Sequence, residues 1–312
     1  MVGWMLILTA TDVHNSLDPV ALRQALASGY EALSEGRADI PVRTMTRSAE
    51  GLLGAMPGYV EGVGLGAKLV SVFSGNAPRG LPSHLALVAL FDENTGVPLA
   101  LMDGEVITEM RTSASAALAC DLLAPADARI LTIVGAGVQA RGHLTALSKL
   151  RPWAEIRLAN RTVANAQSLA ARHCGVTVYG DIDEAVRGAD VVACTTDSTT
   201  PLFSPASFSG RHLSSVGLHL EIPPDLLEGA EVVVQTRSAV HTPPPNGPVA
   251  VQGMDPGAVT ELGEVVAGRR AGRSGDRMTA WLSVGNAMED VVAARLAYEV
   301  ATENGLGQTI SL

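Results

Sequence analysis

The sequence predicts an α/β protein in which a doubly wound parallel sheet is combined with a second, α+β domain. From about residue 124 onward, short apolar strands alternate with helical segments, a rhythm typical of parallel sheets with helical crossovers. Before that point, several strands follow one another with short connections, which indicates antiparallel pairing. The 312 residues are enough for two domains with a core in each.

The first third is predicted to contain one helix and several strands. The helix spans residues 18–35, because Asp18 suits the N-cap and Pro19 suits the first helical position. The apolar run 1–8 is predicted to be a strand, since no basic residue precedes it and it is too short to span a bilayer. The remaining strands are predicted at residues 40–46, 66–73, 84–92 and 97–103.

The second part alternates regularly between the two kinds of element. Strands are predicted at residues 129–134, 155–159, 176–179, 191–195, 212–218 and 231–235, and helices at 139–150, 164–172 and 182–186. A last helix is predicted over residues 287–303, and we expect it to return to the first domain.

A glycine-rich turn follows the strand at 129–134. Gly135 and Gly137, with Ala140, form a Gly-x-Gly-x-x-Ala pattern between a strand and a helix, which is the dinucleotide fingerprint of a Rossmann domain. Val138 and Gln139 open the helix, whose N-terminus suits a pyrophosphate. The alternative is a structural turn in which the glycines serve only packing.

The end of the next strand indicates which nicotinamide cofactor is bound. An Asp or Glu here usually binds the ribose hydroxyls of NAD, but this chain has Asn160, Arg161 and Thr162. Without a carboxylate to repel a 2′-phosphate, and with a guanidinium to bind it, NADP(H) is predicted to be preferred over NAD(H). The alternative is that Thr162 caps the helix and Arg161 is a solvated surface charge.

Composition narrows the classes of partner. The net charge of −10 argues against nucleic acid or an anionic membrane, and a small-molecule substrate is expected instead. Three cysteines without Cys-x-x-Cys spacing indicate a reducing compartment, so a cytoplasmic protein is expected, and no metal site is predicted.

Three cations precede the fingerprint in apolar or helical segments. Arg43 lies in the predicted strand 40–46, Lys68 shares the inward face of the strand 66–73, and Arg111 lies near the start of a helix of small residues. Charged residues are rarely buried unless they are paired, so this set suits a carboxylate substrate. Taken singly, each could instead be a surface or ion-paired residue.

These residues and several others resemble the ornithine cyclodeaminase/μ-crystallin family. The matching segments run in family order along nearly the whole chain: Pro-Val-Arg at 41–43, Ala-Lys-Leu-Val at 67–70, Thr-Gly at 95–96 with Met-Asp-Gly at 102–104, Arg-Thr at 111–112 with Ala114, Ala116 and Ala117, Gly-Ala-Gly-Val-Gln-Ala at 135–140, Asn-Arg-Thr at 160–162, Glu-Leu-Gly-Glu-Val at 261–265 and Ser-Val-Gly-Asn-Ala at 283–287.

The resemblance implies a homodimer in which each chain has two domains. Residues 1–121 with 290–312 would form a substrate-binding and dimerisation domain, and residues 122–289 the Rossmann domain. The family transfers a hydride at the α-carbon of amino or imino acids. By motif, Arg43 and Arg111 would bind the substrate carboxylate and Lys68 would bind or protonate near it. The cofactor would be held by the fingerprint, the 160–162 segment, and Arg111, Thr112, Val284 and Gly285.

One segment departs from the family pattern. Cyclodeaminases place an Asp in a Gly-x-Asp-x-Pro-Gly-Lys-x-Glu-Leu segment, whereas this chain has His219 at the nearest equivalent position. His219 is therefore a candidate proton donor, or a polar pocket residue. The resulting hypothesis is an NAD(P)H-dependent reductase of a small α-imino acid or cyclic ketimine. The alternatives are an ammonia-releasing ornithine or lysine cyclodeaminase, and a non-catalytic NADPH-dependent ligand-binding protein of the μ-crystallin type.

Overall fold

The computed structural model describes residues 4–311, which fall into two compact units. The first unit runs to Arg111 and resumes at Asn286, and the second is Thr112–Gly285. The first boundary, at 111/112, lies ten residues before the predicted 121/122. The second, at 285/286, lies four residues before the predicted 289/290. The first difference arises because the helix Gly104–Leu123 is continuous and contributes residues to both units.

The first unit combines a mixed sheet with helices. Its elements are β1 (Trp4–Leu8), α1 (Ala10–Ser16), α2 (Pro19–Ser34), β2 (Ala38–Asp39), β3 (Thr44–Arg47), β4 (Leu52–Val60), β5 (Gly64–Val72), β6 (His84–Phe91), β7 (Pro98–Asp103), the start of α3 (Gly104–Leu123), and, after the second unit, α8 (Ala287–Asn304) and β16 (Gln308–Ser311).

The sheet of the first unit has the order β16-β1-β7-β6-β5-β4-β2, with β3 also paired to β4. The β1–β7 pair is parallel, and the other pairs are antiparallel. Helix α8 packs on β4, β5 and β6 and also contacts α2. This arrangement confirms the α+β character predicted for the first part of the chain.

Two glycines allow α8 to lie close to the sheet. Gly58 of β4 and Gly66 of β5 are directly paired. A Cβ atom on Gly58 would lie 2.9 Å from the Cβ of Ala287, and one on Gly66 would lie 2.9 Å from Cγ2 of Val291. Any larger residue would push the helix outward, so this pair of glycines sets the distance between the start of α8 and the sheet.

The second unit is a parallel sheet with helical crossovers. Its elements are the end of α3, then β8 (Ile130–Val134), α4 (Val138–Ser148), β9 (Glu155–Ala159), α5 (Val163–Ala170), β10 (Val176–Tyr179), α6 (Ile182–Val186), β11 (Val191–Cys194), β12 (His212–Ser215), β13 (Glu231–Val234), β14 (Val259–Glu261), α7 (Leu262–Val266) and β15 (Thr279–Leu282).

The order of this sheet is β10-β9-β8-β11-β12-β15-β13-β14, and every pair is parallel. The order reverses between β8 and β11, which makes their carboxyl ends the topological switch point where dinucleotides bind in doubly wound sheets. Two apolar clusters, rich in Ala, Val and Leu, pack the sheet. The predicted doubly wound parallel sheet is confirmed.

Most predicted elements are present, and several local assignments are corrected. Helix α2 has Asp18 as its N-cap, accepting from the N–H groups of Val20 and Ala21. The predicted strand 40–46 is found only as β3, so Arg43 precedes the strand. The predicted strand 1–8 is described from Trp4 onward, and residues 1–3 lie outside the described part. The elements that the sequence patterns did not predict are α1, β2, β4, β14, α7, β15 and β16.

Candidate active site

Lys68 is buried on the inner face of the sheet of the first unit. It lies in β5 two residues after Gly66, and its cross-strand neighbours are Met56 and Val88, which are both buried. The Lys68 residue is only 3% exposed. The inward position predicted from strand alternation is therefore confirmed, and the ammonium needs a partner inside the unit.

Two carboxylates at the start of α8 provide that partner. Glu289 and Asp290 are almost completely buried in the first turn of α8, after the N-cap Asn286. The Asn286 side chain accepts from the Glu289 N–H, and a Glu289 carboxylate oxygen accepts from the Asn286 N–H at 3.3 Å, which forms a capping box. The cap fixes where the helix begins and which residues face the sheet.

The buried cations and carboxylates form one connected network. The Lys68 Nζ lies 3.0 Å from Oδ1 and 2.9 Å from Oδ2 of Asp290, and 3.4 Å from the Thr108 hydroxyl. Arg111 donates from Nε to the Asp290 Oδ1 at 3.0 Å and from Nη1 to Glu289. The hydroxyl of Tyr30 on α2 donates to the other oxygen of Glu289. Four elements of the first unit thus meet at two carboxylates.

Arg111 lies deeper in its helix than the sequence indicated. Helix α3 begins at Gly104, where the Asp103 side chain accepts from the Val106 N–H at 2.8 Å. Arg111 is therefore two turns into α3 rather than at its start, and it is 3% exposed. It is an ion-paired residue of the first unit, one of the alternatives that the sequence left open, and this pairing fixes the plane of its guanidinium.

The electrostatics of the network lower the proton affinity of Lys68. Burial lowers the pKa of Lys68 to about 8, with Arg111 and Arg43 acting in the same direction and Asp290 acting against them. Burial also lowers the pKa of Arg43, whereas Asp290 and Glu289 outweigh burial and raise the pKa of Arg111. Arg43 thus acts electrostatically on Lys68, and Arg111 acts on Arg43, as like charges.

The charges of this cluster do not balance. Three cations, Arg43, Lys68 and Arg111, face two carboxylates, Glu289 and Asp290, so the ionised cluster carries one excess positive charge. Arg43 is half-buried, whereas the other four side chains are buried. An excess charge in a desolvated site favours binding of a monoanion.

Sequence reasoning missed the acidic partners in this cluster. Glu289 and Asp290 are adjacent acidic residues in a helix that otherwise begins Ala-Met and continues Val-Val-Ala-Ala. Two neighbouring charges on an apolar helix would have indicated buried partners for the three cations. Tyr30 gave no such signal, because an aromatic residue on the inner face of a helix is common.

The glycine fingerprint has the geometry of a dinucleotide turn. Gly135 has φ of 130°, and a Cβ atom there would lie 2.3 Å from the Thr195 hydroxyl. Gly137 is the N-cap of α4, and no side chain caps the helix there. Gly137 and Val138 are exposed, whereas Ala140 is fully buried. The exposed first turn of an 11-residue helix leaves N–H groups available to a pyrophosphate, so these residues fit a dinucleotide.

The turn after β9 is open to solvent. Arg161 and Thr162 are exposed, and Asn160 donates from its amide to the Thr162 carbonyl at 3.0 Å. Thr162 occupies the N-cap position of α5, but its side chain makes no cap hydrogen bond. The Thr162 hydroxyl and the Arg161 guanidinium therefore lie in a turn at the carboxyl end of β9, the strand that pairs with β8.

His219 lies in the loop that follows β12. The strand ends at Ser215 rather than at 218 as predicted, so His219 is four residues beyond its end. The His219 Nε2 is 3.8 Å from the Asp197 Oδ1, and its side chain is 37% exposed. His219 belongs to the second unit, and Arg43, Lys68 and Arg111 belong to the first.

A buried carboxylate that the sequence did not single out fixes this loop. Glu221 accepts from the Ser215 hydroxyl at 2.5 Å, from the Thr196 hydroxyl at 2.6 Å and N–H at 3.0 Å, and from the Gly217 N–H at 3.1 Å. A Cβ atom on Gly217 would lie 2.5 Å from the Glu221 carboxylate. The network joins the ends of β11 and β12 and thereby constrains the backbone on both sides of His219.

The last predicted cofactor residues lie at the boundaries of the second unit. Gly285, three residues after the end of β15, has φ of 70°, and its N–H donates to the Ser283 hydroxyl at 3.1 Å. Val284 precedes it and is partly exposed, and Thr112 is buried in α3. Gly285 is required by the left-handed backbone of this turn.

Within residues 4–311, no group of three or more His, Cys, Asp or Glu side chains is arranged to hold a metal ion. None of the helices in this part of the chain has both the length and the apolar composition needed to cross a membrane.

The chain is similar to known enzymes over nearly its whole length. A family profile described as the ornithine cyclodeaminase/mu-crystallin family matches residues 4–305. Ketimine reductase mu-crystallin of Mus musculus is 37% identical over 305 residues, covering 94% of this chain and 96% of the mouse protein. Delta(1)-pyrroline-2-carboxylate reductase of Bacillus cereus is 33% identical over 323 residues, covering 98% and 99%.

Solved structures show the same fold. The Thermococcus litoralis Delta(1)-pyrroline-2-carboxylate reductase, in complex with NADH and L-proline, matches with a TM-score of 0.90 and 31% identity, covering 98% of this chain and 100% of that one. An archaeal alanine dehydrogenase dimer with bound NAD matches with a TM-score of 0.88 and 27% identity, covering 99% and 100%. The similarity therefore includes both units.

We expect Gly135→Ala to weaken dinucleotide binding by ~10-fold or more, because the unusual backbone angle and the contact with Thr195 force the turn to move. Nicotinamide fluorescence on titration with the purified protein measures the affinity. Gly175→Ala is the matched control, since Gly175 also has a positive φ but has open space around it. Equal losses of affinity in both variants would contradict a specific role for Gly135.

Proposed function

Because the chain belongs to the ornithine cyclodeaminase/mu-crystallin family, we propose that it is an NAD(P)H-dependent reductase of a small α-imino acid or cyclic ketimine. The curated relatives described above are named for reduction of a ketimine and of a pyrroline carboxylate. The reaction is an oxidoreduction at a carbon–nitrogen bond, the reverse of amino acid dehydrogenation.

The observation that carries this proposal is the buried cluster with three cations and two carboxylates. Its excess positive charge suits the carboxylate of an imino acid, which would balance the cluster when bound. Arg43 is the half-buried cation and would bind the substrate carboxylate directly. Arg111, held by Glu289 and Asp290, would present a fixed guanidinium to the same group.

In the proposed mechanism, the substrate imine gains one proton at nitrogen and one hydride at carbon, which gives the amine. A bound nicotinamide cofactor supplies the hydride. The Lys68 ammonium donates the proton to the imine nitrogen and becomes a neutral amine, which solvent then reprotonates. A pKa of about 8 suits this role, because the group is mainly protonated at neutral pH yet releases its proton readily. His219 is proposed as a second proton donor or as a polar residue of the substrate pocket.

The cofactor is proposed to bind at Gly135, Gly137, Val138 and Gln139 through its pyrophosphate. Arg111, Thr112, Val284 and Gly285 complete the proposed cofactor contacts. NADP(H) is proposed to be preferred, with NAD(H) also accepted. The support is the exposed turn at residues 160–162, which offers a guanidinium, a hydroxyl and an amide but no carboxylate.

The protein is also proposed to be a homodimer formed through the outer face of the sheet of the first unit. Strand alternation leaves a row of apolar side chains on that face, including Leu53, Leu69 and Leu87. Leu69 and Leu87 are directly paired and are 43% and 48% exposed. A contiguous apolar surface of this kind favours pairing with a second copy.

A cytoplasmic location is proposed from the cysteines. Cys120 and Cys194 are buried free thiols, and Cys174 is an exposed one. Free thiols without partners for a disulfide suit a reducing compartment.

A substrate screen tests the proposed activity. The purified protein is expected to oxidise NADPH or NADH with Δ1-pyrroline-2-carboxylate, Δ1-piperideine-2-carboxylate, or 2-oxo acids supplied with ammonia or methylamine. Cofactor binding without turnover across the panel would favour a ligand-binding protein. Ammonia release from ornithine with catalytic NAD would favour a cyclodeaminase.

Lys68→Met is expected to lower kcat/KM for imine reduction by ~100-fold or more, because the proton donor is lost. In the unaltered protein, kcat/KM should fall as the pH rises through about 8, since the donating form is the ammonium. Lys149→Met is the matched control, because Lys149 is exposed and is the other lysine of the chain. Full turnover by the Lys68 variant would refute the assignment.

Arg161→Ala is expected to weaken NADPH binding by ~10-fold and to leave NADH binding nearly unchanged, because only NADPH carries the 2′-phosphate. Fluorescence titration with both cofactors measures the two affinities. Arg172→Ala, at another exposed arginine of the second unit, is the control. Tighter binding of NADH than of NADPH by the unaltered protein would show that the proposed preference is wrong.

Leu87→Lys is expected to convert the dimer into monomers, because the new charge would be buried when the two faces meet. Analytical ultracentrifugation reports the mass. Val20→Lys is the control, since Val20 on α2 is 49% exposed and lies away from the sheet face. An unchanged dimer in the Leu87 variant would exclude this face as the interface.

A further inference from the structure

One carboxylate contacts both of the buried cations. Oδ1 of Asp290 accepts from the Lys68 Nζ and from the Arg111 Nε, each at 3.0 Å, and its Oδ2 lies 2.9 Å from the Lys68 Nζ. The two cations come from a strand and from a helix that are distant in sequence. Asp290 is therefore the group through which their relative position is fixed.

We propose that Asp290 is a positioning residue for imine reduction, which holds the Lys68 ammonium against Arg111 and keeps it in the proton-donating form. This inference rests on the proposed function, because it assigns a role within the same site. Asp290 itself is not required to touch the substrate. It acts through Lys68 and Arg111.

The physical reason lies in what surrounds the Lys68 ammonium. The groups that act on it are Asp290 on α8, Thr108 and Arg111 on α3, and Arg43 before β3. Burial and the two arginines all favour the neutral amine, and Asp290 favours the ammonium. Without the Asp290 charge, Lys68 would lose its proton at a lower pH and would no longer be held beside Arg111.

The neighbouring carboxylate has a different set of contacts. Glu289 accepts from Arg111, from the Tyr30 hydroxyl and from the Asn286 N–H. It orients Arg111 and caps α8. Glu289→Gln removes a negative charge from the same cluster, at the residue next to Asp290, but from a side chain that does not contact Lys68. It is therefore a matched control for Asp290→Asn.

The chain is well suited to a direct test because it contains two lysines, Lys68 and Lys149. Protein labelled with ¹³C at lysine Cε should give two signals in an NMR pH titration, and exposed Lys149 is an internal reference. In Asp290→Asn, the Lys68 midpoint should move to lower pH by roughly one to two units, and Lys149 should not move. In Glu289→Gln, the Lys68 midpoint should move less.

The kinetic readout is the pH profile for reduction of Δ1-pyrroline-2-carboxylate or, if the unaltered protein prefers it, another imine of the screen. In Asp290→Asn, the pH at which kcat/KM falls should decrease by the same amount as the pH midpoint of the Lys68 titration. In Glu289→Gln, the main change should be a higher KM, because Arg111 loses one of its anchors. Asp290→Glu should restore part of the rate and of the midpoint, which separates charge from folding.

Four outcomes decide the inference. Parallel movement of the Lys68 midpoint and of the kinetic profile supports it. An unmoved Lys68 midpoint in folded Asp290→Asn, or an equal movement in Glu289→Gln, overturns it. If the Lys68 midpoint moves but the unaltered protein reduces no imine, the proposed function fails and the role of Asp290 in imine reduction falls with it, while the NMR result still records the ion pair.

Discussion

The structure of the first unit depends on keeping four charged side chains out of water at one place. Lys68, Arg111, Glu289 and Asp290 are each at most 3% exposed, and they come from a strand and two helices. Such charges are tolerated only when they are paired and hydrogen-bonded, and pairing them gives little net stability. Because stability alone does not account for such a cluster, its charge is consistent with the proposed site for an anionic substrate.

That network in turn depends on close packing around α8. The paired glycines of β4 and β5 let the start of the helix approach the sheet. Gly29 does the same for α2, because a Cβ atom added at this position would lie 2.6 Å from the Met288 sulfur. The capping box at Asn286 fixes the first turn of the helix. Small residues thus bring the helix near, and the cap determines that the two carboxylates point at Lys68 and Arg111.

The second unit meets a different constraint. Its strands are all parallel, so the turns at their carboxyl ends gather at one edge, and the order reverses between β8 and β11. Gly135 at the end of β8 lies against Thr195 at the end of β11, while Glu221 joins the loops that follow β11 and β12. Backbone geometry rather than charge prepares this edge for a ligand with a pyrophosphate.

The sequence by itself determined the alternating elements of the second unit, the glycine turn, the capped helix α2 and the inward position of Lys68. These follow from local rules: periodicity, turn chemistry and capping act within a few residues. Only the tertiary structure decided that Asp290 lies between Lys68 and Arg111, because those residues are up to 222 positions apart. The tertiary structure also decided that Arg43 precedes β3 and that His219 lies in the loop after β12. Pairing between distant segments sets where each strand begins and ends.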